Sequence, residues 1–366
     1  MTAVSRVQGL AVTVGKAHSL HLTEIELPEV NSDQVLIDVL EAGICGTDRE
    51  IIASQYGSAP PNQADLVLGH EALGVIRQIG SAVSGLAVGD LVTATVRRGC
   101  GCPNCAAGES DFCTSLRYTE RGIQGRHGFW TTSYVEDEAN VLLVPASLRA
   151  AGVLAEPCSV VEKAWRVAQS VQQRFPVWEP KTAVIFGAGP IGLLQAMLLR
   201  NRGMDVTVVA QRPKSEAPAA EVVAKIGATY ISARKTDIVS LGRDLPNIDI
   251  IVECSGSSAC VAQAMQILGN AGVLVLLSNT GGTHTVNLPL DQINVGWVSG
   301  NKTMVGAVNS SAADFRAAIV DMQRFEDRWP GALAALITHR LPGLAAGVNL
   351  MESTRGAIKA VIEIGS

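Results

Sequence analysis

TAVIFGAGPIGL, residues 182–193, reads as a strand, a glycine turn and the start of a helix. Thr182 to Phe186 is a short run of β-formers without polar interruption, the pattern of a buried strand. Gly187, Gly189 and Gly192 follow in the spacing G-x-G-x-x-G, and LLQAMLLR after them has the texture of a helix with a buried face. Strand, turn and helix in that order form the context that a dinucleotide-binding fingerprint requires. Gly187 allows the tight turn, Gly189 lets the backbone approach a pyrophosphate, and Gly192 lets the helix pack closely on the sheet. The phosphates are expected at the helix N-terminus, where unpaired N–H groups and the helix dipole favour anions. The plain alternative is a glycine-rich turn with no ligand.

The alternation continues outward from this stretch. Val206–Ala210, Tyr230–Ile231, Ile248–Cys254, Gly272–Leu277 and Lys302–Val308 read as further strands. Helices are expected at 190–202, 219–226 and 258–268, two of them stopped by Gly227 and Gly269. This is the pattern of a doubly wound parallel sheet, assigned to residues 179–308. The second strand ends in Gln211-Arg212-Pro213-Lys214, with no carboxylate to accept from a ribose 2′-hydroxyl. Arg212 and Lys214 favour a 2′-phosphate, so NADP is the expected cofactor, with NAD tolerated. Solvated surface charge is the alternative for both.

Upstream the texture is different. Strand candidates at 7–14, 35–42, 73–79, 91–96, 128–134 and 140–144 are separated by glycine turns, as in an irregular β-rich domain. Ala155–Ser170 reads as a helix, and QQRFPVWEP at 172–180 as a boundary. After Ser310 come a helix over 315–324, the start of another at 329–333, and a closing strand over 358–364. That tail is too short for its own core. The β-rich domain is therefore expected to comprise 1–178 and 309–366, with the sheet domain inserted in it.

The chain has 366 residues, enough for two cores; 47% are apolar and 17% charged, with a formal net charge of -5. No basic clustering suggests nucleic acid, and no apolar run is long enough to span a membrane. The N-terminus has no signal-peptide pattern, which points to the cytoplasm. Of eight cysteines, Cys100, Cys102, Cys105 and Cys113 are crowded into one glycine-bearing lobe near 99–114. Four thiolates suit a closed structural zinc site, although Cys100-x-Cys102 is a tighter spacer than usual. A three-cysteine site, an empty site or disulfide chemistry are the alternatives. Cys45 and His70 lie in glycine-flanked loops between strands. Zinc would take that thiolate and imidazole plus a carboxylate, for which Glu71 and Glu156 are available. A buried small thiol and a hydrogen-bonded loop histidine are the simpler readings.

Taken together, Cys45, Gly69-His70-Glu71, the four-cysteine lobe, Glu156-Pro157 and the Gly187 fingerprint resemble the zinc-dependent medium-chain dehydrogenase/reductase superfamily. The similarity is closer to its archaeal-type glucose dehydrogenase branch. It rests on AGICGTDRE (42–50), RRGCG (97–101), GESDFC (108–113), ERGI (120–123), HGF (127–129), VVEK (160–163), QQRFPVW (172–178) and NKTMVGAVNS (301–310). The resemblance implies a GroES-like catalytic domain beside a Rossmann domain, and assembly as a homodimer or homotetramer. It implies that Cys45 and His70 hold catalytic zinc with Glu156 and Glu71 nearby, and that Thr47 contacts the reacting hydroxyl. It also implies sugar contacts from Glu120 and Asn309, alongside Thr47 and Glu156. Candidate cofactor contacts are Gly187, Gly189, Pro190, Ile191, Gly192, Gln211, Arg212, Lys214, Ser255, Ser278, Thr280 and Asn309.

The implied reaction is hydride transfer from the C1 hydroxyl of a glucose-like aldose to NADP, giving the lactone. Val96, Val160 and Ser299 stand where the branch often carries polar residues. A cyclitol, a deoxy or amino sugar or another secondary alcohol is therefore the competing substrate class. A non-catalytic nucleotide-binding relative is the competing reading of another kind.

Overall fold

The computed structural model describes residues 5–279, 281 and 283–365. The chain divides into two compact units. One comprises 1–159, 309–323 and 337–366; the other comprises 160–308 and 324–336. The first unit is discontinuous. Whereas the expected first boundary lay at 178/179, the observed one falls at 159/160. It lies inside the helix Ala155–Gln172, whose opening turn belongs to the first unit. Part of the tail, 324–336, also goes with the second unit.

The first unit is built on a seven-stranded sheet. Gln34–Ile44 is its longest strand and pairs antiparallel with Ala72–Ile79 on one side and Lys359–Glu363 on the other. The closing strand thus comes back beside the strand that leads into Cys45. Arg6–Thr13 joins His21–Glu26 and Asp65–Val67 in a second sheet, and Thr119–Arg121 joins Arg97–Arg98 and Gly125–Arg126 in a third. Leu10, Ile37, Leu66, Leu68, Phe129 and Trp130 fill the core between them. The strand expected at 128–134 is displaced to Ser133–Asp137. Phe129 and Trp130 turn inward before it, with backbone bonds to Gly69 and Leu68.

The second unit is a six-stranded parallel sheet in the order 3-2-1-4-5-6 counted along this unit's chain. Thr182–Phe186 lies at its centre and is buried throughout, as a strand covered on both faces must be. Ile238–Asp244 and Leu290–Ser299 are helices that sequence periodicity did not isolate, being short and weakly amphipathic. No helix starts at 329–333. The helix Ala312–Arg328 ends there in turns, with Gly331 at φ +74°, before a 3-10 turn at Ala334–Leu336. Among the described residues no helix is long and apolar enough to cross a membrane.

Candidate active site and cofactor cleft

Cys45 ends the long strand and caps the short helix Gly46–Ile52. Its backbone N–H donates to Asp48 Oδ2 at 2.8 Å, so Asp48 folds back under the loop. Asp48 is fully buried, and its other oxygen lies 3.3 Å from the Gly69 amide and 3.5 Å from His70 Nδ1. One carboxylate therefore ties the Cys45 loop to the His70 loop and orients the imidazole, as supporting carboxylates do for metal-bound histidines. The signal for Asp48 was present in CGTD, but its role depends on a partner far along the chain.

The thiol of Cys45, the imidazole of His70 and the carboxylate of Glu71 come within 4.8 Å of one another. Thiolate, imidazole and carboxylate are a zinc donor set. Burial opposes charge on His70, but Asp48 and Cys45 outweigh it and hold its pKa well above the usual range. Glu156, also expected near the metal, stands outside this close set. It is buried nearby, and burial, reinforced by Glu71 and opposed by His70, pushes its carboxyl up to about 7.

Three further residues shape this site. Lys359, from the closing strand, is buried and ion-paired with Glu71. Trp130 is fully buried; its indole N–H donates to Gly43 O at 2.9 Å, and its ring fills the space where Gly69 would carry a side chain. Tyr56 lies near Thr47, Cys45 and His70; burial pushes its hydroxyl up to about 12, with Thr47 opposing. Lys359, Trp130 and Tyr56 lay in no recognisable motif.

Glu120 and Asn309 meet directly. Asn309 Nδ2 donates to Glu120 Oε1 at 2.7 Å, and Asn309 Oδ1 accepts from the Ser310 amide at 2.7 Å. In this conformation one amide hydrogen and the oxygen of Asn309 are each engaged within the chain, which leaves its second amide hydrogen for another acceptor. Val96 is buried, whereas Ser299 is exposed at a helix end.

The four lobe cysteines also converge. Sγ–Sγ distances are 3.5 Å for Cys100–Cys113 and Cys102–Cys105, 3.9 Å for Cys102–Cys113 and 4.0 Å for Cys100–Cys105. A tetrahedral zinc with its usual sulfur distance needs edges of about 3.8 Å. The tight Cys100-x-Cys102 spacer works because its middle residue is Gly101, at φ +81°. Backbone amides of Cys105 and Thr114 bring the Cys102 thiol down to about 5, which favours the ligating thiolate.

In the second unit Gly187 has φ +106°, and a side chain on Gly192 would run into Gly187 O. Gly189 caps the helix Pro190–Asn201, with Pro190 at its first position and Ile191 following. A side chain at Gly189 would meet nothing within 4 Å, so the turn is open on the face where a pyrophosphate belongs. After the second strand, Tyr230 Oη donates to Arg212 O at 2.9 Å and Ser232 Oγ to Gln211 O at 3.3 Å. Beside this segment lies a hollow of about 530 Å³ lined by Lys214, Ser215, Tyr230, Ser232 and Lys235. Ser255 donates through both backbone and hydroxyl to the buried Glu253, and Ser278 follows the strand Val273–Leu276. Thr280 lies outside the described residues.

Residues 31–146 match the alcohol dehydrogenase GroES-like domain, and residues 149–364 match the glucose dehydrogenase C-terminus. The chain belongs to the zinc-dependent medium-chain dehydrogenase/reductase superfamily, in its glucose dehydrogenase branch. It is 36% identical to a glucose 1-dehydrogenase of Methanocella arvoryzae over 98% of this chain and 100% of that one. It is 38% identical to glucose 1-dehydrogenase 1 of Caldivirga maquilingensis over 97% and 98%. Its fold is similar to Haloferax mediterranei glucose dehydrogenase in complex with NADP, Zn and gluconolactone, with a TM-score of 0.88, 29% identity, and 98% and 99% of the chains covered. A member of this branch is a zinc-dependent, nicotinamide-linked oxidoreductase, and Cys45, His70 and Glu71 are placed where they could hold a metal ion.

Proposed function

We propose that this chain oxidises the C1 hydroxyl of a glucose-like aldose to the lactone with NADP, using one catalytic and one structural zinc. The observation that carries the reading is the convergence of half-buried Cys45 with buried His70 and Glu71, the His70 imidazole facing the buried Asp48 carboxylate. Bound zinc supplies the Lewis acidity that eases deprotonation of a sugar hydroxyl, and NADP supplies the hydride acceptor. The chain's own work is positional and protonic. Thr47 accepts the hydroxyl proton and releases its own to Tyr56, whose phenol is 43% exposed and opens the route to solvent. Glu120 accepts from a second sugar hydroxyl. Arg212 and Lys214 hold the 2′-phosphate, and the Gly189 turn holds the pyrophosphate.

The reading includes a cytoplasmic homodimer or homotetramer. What supports assembly is the edge strand Thr303–Gly306 of the parallel sheet, flanked by exposed Val295, Val298, Met304 and Val308. A second substrate reading, a deoxysugar or another less polar secondary alcohol, is favoured by the pairing of Glu120 Oε1 with Asn309. That pairing leaves a polyol fewer acceptors.

Absorbance at 340 nm tests both readings. Zinc-loaded enzyme is assayed with NADP and NAD against D-glucose, other aldoses, cyclitols and simple secondary alcohols. Turnover of D-glucose with NADP is the expected result. Silence with every aldose, alongside turnover of a less polar alcohol, would remove the sugar assignment.

A further inference from the structure

We propose that Arg97 is the positioning residue for Glu120, fixing one carboxylate oxygen inside the protein so that only the other is offered to a substrate hydroxyl. The two residues are register partners in adjacent antiparallel strands, and both are buried. Glu120 Oε1 receives Arg97 Nε at 3.0 Å, Arg97 Nη2 at 2.9 Å and Asn309 Nδ2 at 2.7 Å. Three donors saturate that oxygen, whereas among the described residues no hydrogen bond reaches Oε2. A carboxylate held this way cannot rotate without breaking two charge-assisted bonds, so its free acceptor points in one direction.

Arg97 is itself fixed. Its guanidinium stacks on the Tyr118 ring, 3.7 Å from the centroid. Its remaining nitrogen, Nη1, donates to the backbone carbonyls of Ser110 and Asp111 at 3.4 Å. Those carbonyls belong to the cysteine-rich lobe, just before Cys113. Arg97 thus carries the order of that lobe to the Glu120 carboxylate. A lysine could keep the charge but not the planar fork that grips both.

This inference rests on the reading that Glu120 binds the sugar, and a double-mutant cycle separates the two. Arg97→Lys, Glu120→Gln and the double variant are compared by steady-state kinetics with D-glucose at saturating NADP. Binding of D-glucose to the enzyme–NADPH complex is followed by nucleotide fluorescence, and zinc content is measured alongside. The expected result is that Arg97→Lys raises KM and the D-glucose dissociation constant about tenfold, with kcat within about threefold, NADPH affinity unchanged and both zincs retained. In the Glu120→Gln background it should add less than about twofold.

If Glu120→Gln alone leaves KM unchanged, the sugar contact is wrong. If Glu120→Gln raises KM but Arg97→Lys does not, or the two effects multiply, the positioning role is overturned. Should Arg97→Lys fail to fold, Tyr118→Leu, which strips the half-buried ring from the guanidinium, replaces it in the cycle. A KM rise of about threefold that vanishes in the Glu120→Gln background supports the proposal, and no rise sinks it.

Discussion

Lys359 and Glu71 form a buried ion pair beneath the candidate metal site, joining the strand that closes the chain to the loop that carries His70. Burial opposes the Lys359 charge, yet Glu71, Cys45 and Glu156 outweigh it and raise its pKa. Lys359→Met would leave the Glu71 charge without its partner, and a broken buried pair costs about 3–5 kcal/mol. The urea midpoint should fall accordingly. Lys359→Arg should recover most of the loss, because charge rather than side-chain shape is what Glu71 lacks.

Gly43 faces the same carboxylate from the neighbouring strand, and a Cβ there would fall within the Glu71 side chain. Gly43→Ala should push Glu71 out of the ligand set and cost about 1–3 kcal/mol through overpacking. Metal analysis should show loss of one zinc, with the four-cysteine site still filled. Retention of both zincs with unchanged stability would show that Glu71 has room to move.

Glu136 offers a pH test on a carboxylate outside both candidate ligand sets. It is fully buried and takes Arg98 at 2.5 Å, Arg121 at 2.8 Å and Arg126 at 3.6 Å. Burial alone would raise its carboxyl, but the three guanidinium groups outweigh this and bring it down from 4.5 to about 2. A depressed folded-state pKa contributes stability that is complete above the unfolded value and is lost as pH falls from about 4.5 towards 2. That difference corresponds to about 3 kcal/mol. Unfolding free energy measured from pH 6 to 2 should fall steeply over this window in the native protein. Glu136→Gln should be less stable at pH 6 and flatter below it.

Arg212 and Lys214 are the cations at the end of the second strand of the parallel sheet, and both are exposed. Replacing either with Ala should weaken NADPH binding about tenfold while leaving NADH nearly unchanged, since only the former carries the 2′-phosphate. Fluorescence titration at low and high salt checks this. Equal losses for both nucleotides would assign the two residues to the pyrophosphate or to the fold.

Much of this was readable along the chain. The strand–glycine–helix unit at 182–193 is local: a five-residue strand, three glycines at fixed offsets and a helix start lie within twelve residues. Cys100, Cys102, Cys105 and Cys113 are close in sequence, so one ion can be inferred from spacing, and Gly101 explains the unusual gap. What spacing could not supply were pairs created by register. Lys359 meets Glu71 because Lys359–Glu363 lies beside Gln34–Ile44, and Arg97 meets Glu120 because two short strands happen to pair at that residue. Asp48 binds the His70 loop for the same kind of reason. Propensity and periodicity act over a few residues. An ion pair across a sheet depends on loop paths and on which face each side chain takes, and a one-residue shift would undo it.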